Sequence, residues 1–292
     1  MLSFNRGNPI AKLSGKKNEY LRIFDPDNYQ QELQYGDDDY YGSGSDYDDS
    51  DSYSSEEEYK TQYHHKGGKQ SKKNNDLGTE YNCKSCCKLI PLPNLEARSV
   101  DYVAGPSGSG KSTITADMAT EFKKKFPRRP IYIFSRTDAR DDPAYRHLKP
   151  KQIDLDTLLE YPIDVTREIE GGCLMIFDDC QTIQNPELKK EVDKLMEDAM
   201  EVGRKIGCWM IISNHLVVPN EKKLARTIMN EMHSLTVFPK SGSSQQIRYA
   251  LKTYFGLNNK QINKILESKS RWVRINKSYP MYVVHSGGAY IL

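Results

Sequence analysis

Residues 100–113 read V-D-Y-V-A-G-P-S-G-S-G-K-S-T, an apolar run that enters a glycine-rich loop and leaves as a helix. Gly105, Gly110, Lys111 and Ser112 satisfy G-x-x-x-x-G-K-[ST], the Walker A phosphate-binding loop. Gly105, Gly108 and Gly110 let backbone N–H groups turn toward phosphate oxygens, because residues without Cβ tolerate the dihedrals and the close approach. The expected nucleotide cradle is the whole loop: Gly105, Pro106, Ser107, Gly108, Ser109, Gly110, Lys111, Ser112 and Thr113. Lys111 supplies a point charge for the β and γ phosphates, Ser112 offers its hydroxyl to Mg²⁺, and the following helix N-terminus adds partial positive charge.

Working outward, apolar strands alternate with amphipathic helices from residue 98, which predicts an α/β fold with a mainly parallel sheet covered on both faces. Strands are expected at 99–104, 131–134, 173–177, 208–213 and 234–238. Helices are expected after the loop, with Ile114, Met118 and Phe122 on one face, at 185–202 and at 221–232. The connection 138–162 is rich in charge and proline and predicts only short helices. Beyond 245, two helices, 245–255 ending at Gly256 and 259–268, precede strands that complete the sheet.

A second nucleotide signal is G-C-L-M-I-F-D-D at 172–179, a buried strand delivering two carboxylates at its C-terminal end. It resembles a Walker B motif. Asp178 is placed to hold Mg²⁺ together with Ser112, and Asp179 to orient the attacking water. The strand 208–213 ends in Asn214 and His215. A polar side chain at the tip of a strand between the other two can touch the γ-phosphate, and the sequence leaves open which of the pair does so.

The formal charge of +2 hides an asymmetry: residues 37–59 hold ten carboxylates and no Lys or Arg. That stretch, followed by a basic block, predicts disorder over 1–77, a tail suited to docking, with capsid proteins as possible partners. Residues 78–97 read as a linker and 98–292 as the folded body. From residue 95 onward there are thirty basic and twenty-four acidic residues, a balance that suits a nucleic-acid partner. Cys83 and Cys86 have the spacing of half a zinc site, with His64 and His65 the nearby candidates to complete it. Six cysteines without a paired framework, no apolar run of membrane length and no signal-like start predict a soluble, intracellular protein.

Taken together, the loop at 105–112, the D-D strand and G-R-K-I-G at 203–207 resemble the FtsK/HerA-type motors, and among them the poxvirus-type packaging ATPases of large DNA viruses. That resemblance covers about residues 99–238. It implies a RecA-like (ASCE) sheet of order 5-1-4-3-2, a homo-oligomeric ring, ATP as the nucleotide, and ATP-driven movement of double-stranded DNA into a capsid, in the host cytoplasm or virion. It also implies a role for Arg204, with Arg226 second, in reaching a neighbouring subunit's ATP. Two alternatives stand beside it. One is a nucleoside kinase of the thymidine kinase type, whose loop and acidic strand are similar; the other is a nucleotide-gated capsid-assembly scaffold.

Overall fold

The computed structural model describes residues 1–16, 18–26, 76–83 and 87–292. In chain order the strands are β1 (Leu2–Ser3), β2 (Asn8–Leu13), β3 (Tyr20–Ile23), β4 (Asp76–Gly78), β5 (Glu80–Asn82), β6 (Leu89–Pro91) and β7 (Val100–Ala104). After the loop come α1 (Lys111–Lys125), β8 (Ile131–Phe134), β9 (Lys151–Ile153), α2 (Val165–Glu168), β10 (Leu174–Asp178), α3 (Pro186–Glu201) and β11 (Trp209–Asn214). The chain closes with α4 (Lys222–Glu231), β12 (Ser234–Val237), α5 (Ser244–Phe255), α6 (Asn259–Leu266), β13 (Val273–Asn276), β14 (Tyr282–His285) and β15 (Gly288–Ile291).

Ten strands form one sheet in the order β5-β15-β14-β13-β12-β7-β11-β10-β8-β9. Its centre, β12-β7-β11-β10-β8, is parallel and has the order 5-1-4-3-2 that the motor resemblance implies. The central strands β7, β10 and β11 are buried at every position, as strands covered on both faces must be. One core holds the faces of α3 to α6, including Val192, Leu195, Ile228, Leu251 and Ile262; the other holds Ile114, Met118 and Phe122 of α1. Asn185 caps α3 by accepting from the N–H groups of Glu187 and Leu188, with Pro186 in the first turn. Such a cap contributes about 1 kcal/mol.

The N-terminus departs from the expected disorder. Residues 2–23 build three antiparallel strands, joined by β4 and β6 into a second sheet of order β4-β1-β3-β2-β6. The physical reason is period-two burial: Leu21 and Ile23 point inward between the more open Tyr20 and Arg22, and Leu2, Ile10 and Leu13 share a core with Met118 and Phe122 of α1. Composition averaged over 77 residues hides this short apolar stretch behind the acidic one. The acidic run 37–59, and with it His64, His65 and Cys86 of the expected zinc set, lies outside the described residues. Among the described residues no group of three or more His, Cys, Asp or Glu is placed to hold a metal ion. The 78–97 linker is likewise built in, since β5 pairs with β15 and β6 with β2. The connection 138–162 carries 3-10 turns at Arg146–Leu148 and Leu155–Leu159, and adds the edge strand β9 beside β8.

Candidate active site

The parallel order brings three strand ends together. β7 delivers the loop, β10 on the far side of β11 delivers Asp178 and Asp179, and β11 between them delivers Ser213, Asn214 and His215. The loop is tied to β11 directly, because the N–H of Gly105 donates to the Asn214 carbonyl at 3.0 Å. Gly108 and Gly110 take φ of +72° and +108°, a region open to glycine without strain. Gly105 is needed for another reason: a Cβ there would stand 2.5 Å from Phe238 Cδ2 and 2.9 Å from Ser109 Oγ.

Lys111 opens α1 and is only 6% exposed; its Nζ lies 3.6 Å from Asp179 Oδ1. Asp179 has φ +50°, a left-handed conformation that aspartate tolerates better than most residues. This turn directs its carboxylate to three neighbours at once. Besides Lys111 they are His215, whose Nε2 is 3.2 Å from Oδ2, and Gln181, whose Nε2 donates to Oδ1 at 3.3 Å. Asn214 is committed differently: its Oδ1 accepts from the N–H of Leu216 at 3.0 Å, closing the turn after the strand. The two polar residues at the β11 tip thus have distinct surroundings, His215 on the carboxylate and Asn214 on the backbone.

Asp178 is buried, and burial raises its carboxyl above the ordinary carboxylate range; the charge of Asp179 adds to the effect, while the Ser213 and Tyr145 hydroxyls and Lys111 oppose it. Its Oδ1 and Ser109 Oγ are buried without a hydrogen-bond partner within the chain, while the Ser213 and Tyr145 hydroxyls lie beside the carboxylate. A buried polar atom left unpaired costs about 1–3 kcal/mol. These buried oxygens around the loop make a polar place suited to an oxygen-rich ligand and a cation. The donors are hard oxygens, the chemistry Mg²⁺ requires, so Ser112 and Asp178 fit the ion.

Sequence motifs do not reach two further contributors. Tyr145, from the 138–162 connection, is buried beside Ser112 and Thr115, and burial drives its phenol well above the ordinary tyrosine value. Arg271 precedes β13 and clamps the loop from outside: Nε donates to the Ser109 carbonyl and Nη2 to the Gly108 carbonyl, both at 2.7 Å. Neither lies in a local pattern that spacing would single out.

Arg204 is not brought to this site within its own chain. It is exposed in the turn between α3 and β11, where β11 begins, whereas Lys111 at the start of α1 and Asp179 after β10 lie beyond the C-terminal ends of the parallel strands. The G-R-K-I-G segment works there as a turn: a Cβ on Gly203 would come within 2.2 Å of the Ala199 carbonyl oxygen. Arg226 is exposed on α4.

No family model matches the chain. Over 202 residues, 69% of this chain and 80% of the other, it is 42% identical to the uncharacterized protein V3 of the Sputnik virophage. The chain belongs to the V3 family. Among solved structures it is similar to the genome-packaging NTPase B204 of Sulfolobus turreted icosahedral virus 2 in complex with ATP-γS. That similarity is 12% identity at a TM-score of 0.43, over 64% of this chain and 96% of B204. It is also similar to the pCW3 conjugation coupling protein TcpA with ATP-γS, at 14% identity and a TM-score of 0.47, over 70% of this chain and 63% of TcpA. Both likenesses are too distant to carry function across. Among the described residues no helix is long and apolar enough to cross a membrane.

Proposed function

We propose that this V3-family chain is an ATP-hydrolysing motor that moves double-stranded DNA as a homo-oligomeric ring, in the packaging of a viral genome. The observation that carries the hydrolase is the meeting of Lys111, the buried Asp178 carboxylate and the three-way held Asp179 beyond the C-terminal ends of β7 and β10. DNA as the substrate and packaging as the output rest on the motor resemblance of the sequence, supported by a virophage relative.

In this reading the loop amides and Lys111 hold the triphosphate of ATP. Mg²⁺, held by Ser112 and Asp178 when bound, neutralises phosphate charge. The phosphates compete for Lys111, and its ammonium then leaves Asp179, whose carboxylate is 40% exposed and free to accept a hydrogen bond from the attacking water. His215 and Gln181 keep that carboxylate pointed while Lys111 is occupied. Asn214, tied to Gly105 through its carbonyl and to the next turn through its side chain, links loop position to the 215–220 connection. Phosphoryl transfer asks mainly for placement and charge neutralisation, and these residues supply both. Arg204 is given no part within its own subunit.

ATP turnover and ATP-γS binding by the full chain test the hydrolase. Asp179→Ala should keep nucleotide affinity and lower kcat by about 10²–10⁴-fold, the usual worth of a positioned base, and Lys111→Ala should lose binding. Equal turnover in wild type and Asp179→Ala would sink this assignment.

A further inference from the structure

The net positive charge of the body is not spread over it. Of the thirty basic and twenty-four acidic residues from 95 onward, seven and one fall within 239–271, which leaves twenty-three of each for everything else. The seven are Lys240, Arg248, Lys252, Lys260, Lys264, Lys269 and Arg271, and the carboxylate is Glu267. This segment is the α5–α6 hairpin with its two flanks.

Resting on the motor reading above, we infer that the outer face of the α5–α6 hairpin is the surface that grips the phosphate backbone of double-stranded DNA. Both helices are amphipathic: Ile247, Ala250, Leu251 and Phe255 of α5, and Ile262 and Ile265 of α6, are buried, and the cations lie on the open faces. Lys264 has a carboxylate near it, Glu80 at 3.3 Å. Among the described residues Lys240, Arg248, Lys252, Lys260 and Lys269 are exposed with no carboxylate at ion-pair distance. Five such cations, with Glu80 and Glu267 as the carboxylates of this region, attract a polyanion and release its counterions. Arg248 and Lys252 stand one helical turn apart, so they share a face.

The same face lacks what a protein partner would need. Apart from Tyr249, 54% exposed, its open positions are polar: Gln245, Asn258, Asn259 and Asn263. A protein interface is built on an apolar centre, and among the described residues of these open faces the one aromatic pair, Tyr249 edge-on to Tyr254, is a small one.

Both ends of the segment are fastened to the phosphate-binding loop. It leaves β12 at Phe238, whose ring fills the space a Gly105 Cβ would take, and returns at Arg271, which holds the Gly108 and Ser109 carbonyls. The hairpin is therefore tied to the loop at two fixed points.

Fluorescence anisotropy of a labelled mixed-sequence DNA duplex, titrated with the full chain across a range of salt, tests this. The variant Arg248→Ala/Lys252→Ala is compared with Lys190→Ala/Lys194→Ala, two exposed cations at the same four-residue spacing on α3, of which Lys194 lies 3.6 Å from Glu191. At about 0.9 per phosphate contact, the first should lower the slope of log affinity against log salt by about 2, while Arg248→Lys/Lys252→Arg restores it and the α3 pair leaves it unchanged. Thermal midpoints of the variants serve as the folding control. Equal slopes for wild type and the α5 variant overturn the surface while leaving the motor reading intact; a wild type without DNA affinity overturns both. Loss of poly-glutamate binding with DNA binding retained would assign the face to an acidic protein and also overturn the inference.

Discussion

Arg271 reaches the phosphate-binding loop across some 160 positions of sequence and makes two 2.7 Å bonds to its carbonyls, fixing the direction of the N–H groups on the opposite side. Arg271→Ala should raise KM for ATP about tenfold, the worth of roughly 1.4 kcal/mol of lost ordering, with a smaller change in kcat. Arg271→Lys should recover only part of it, since one ammonium cannot match the fork geometry. An unchanged KM would show that the guanidinium does not organise the loop. Lys111, Ser112, Asp178 and Asp179 differ from it in where their signal lies. Those four are legible in the sequence because the strand or helix that carries them also forms the motif. Arg271 and Tyr145 meet the loop through tertiary packing alone, and no spacing in the chain announces it. His215 lies between these cases: its place at a strand tip was readable, its bond to Asp179 was not.

At the scale of elements, the C-terminal extension is joined to the loop strand by a buried ion pair. Arg274 of β13 donates from Nη2 to Asp101 Oδ1 of β7 at 2.7 Å across β12, with side chains 2% and 1% exposed. Ser99 Oγ donates to the other carboxylate oxygen at 2.8 Å, so the charge on β7 is fully engaged. Removing one partner strands the other in the core: Asp101→Ala should cost about 3–5 kcal/mol in urea unfolding, and Asp101→Ala/Arg274→Met clearly less than the sum of the single changes. Additive losses would contradict the pairing. The sequence signalled β13 and β14 through their apolar alternation, and Asp101 gave no sign of its role, since a carboxylate inside an apolar strand is interpretable only with its partner in view. The N-terminal strands escaped for a related reason. Short edge segments with few apolar residues carry a weak period, and it is docking against α1, with Lys12 bonded to Glu121 at 2.9 Å, that makes them strands.

Over the whole molecule, the parallel centre was written in the alternation of apolar runs and amphipathic helices, and the charge concentration in 239–271 can be counted in the sequence, whereas the second sheet and the placing of those cations on the open faces of α5 and α6 emerged only from the fold. Global stability carries a pH signature that follows from the fold. The Nδ1 of His233 accepts from the Val100 N–H at 3.1 Å, and burial pushes its imidazole below the usual histidine range; Asp101 and Glu231 pull it up, Arg98 and Lys277 press it further down. Burial moves His285 the same way. Because the folded value is the lower one, the stability is fully present above the unfolded value of about 6.5 and is lost as pH falls from there through the folded value. The urea midpoint should therefore drop between about pH 7.5 and about pH 5.5, and drop less in His233→Asn, which keeps an acceptor without a titrating ring. An identical decline in both would place the effect elsewhere.

Steady-state ATP hydrolysis by the full chain, measured with and without double-stranded DNA, tests the motor most directly. Hydrolysis that rises with added duplex, vanishes in Lys111→Ala and leaves added nucleosides unphosphorylated is the predicted result; hydrolysis indifferent to DNA, or phosphate appearing on a nucleoside, would contradict it.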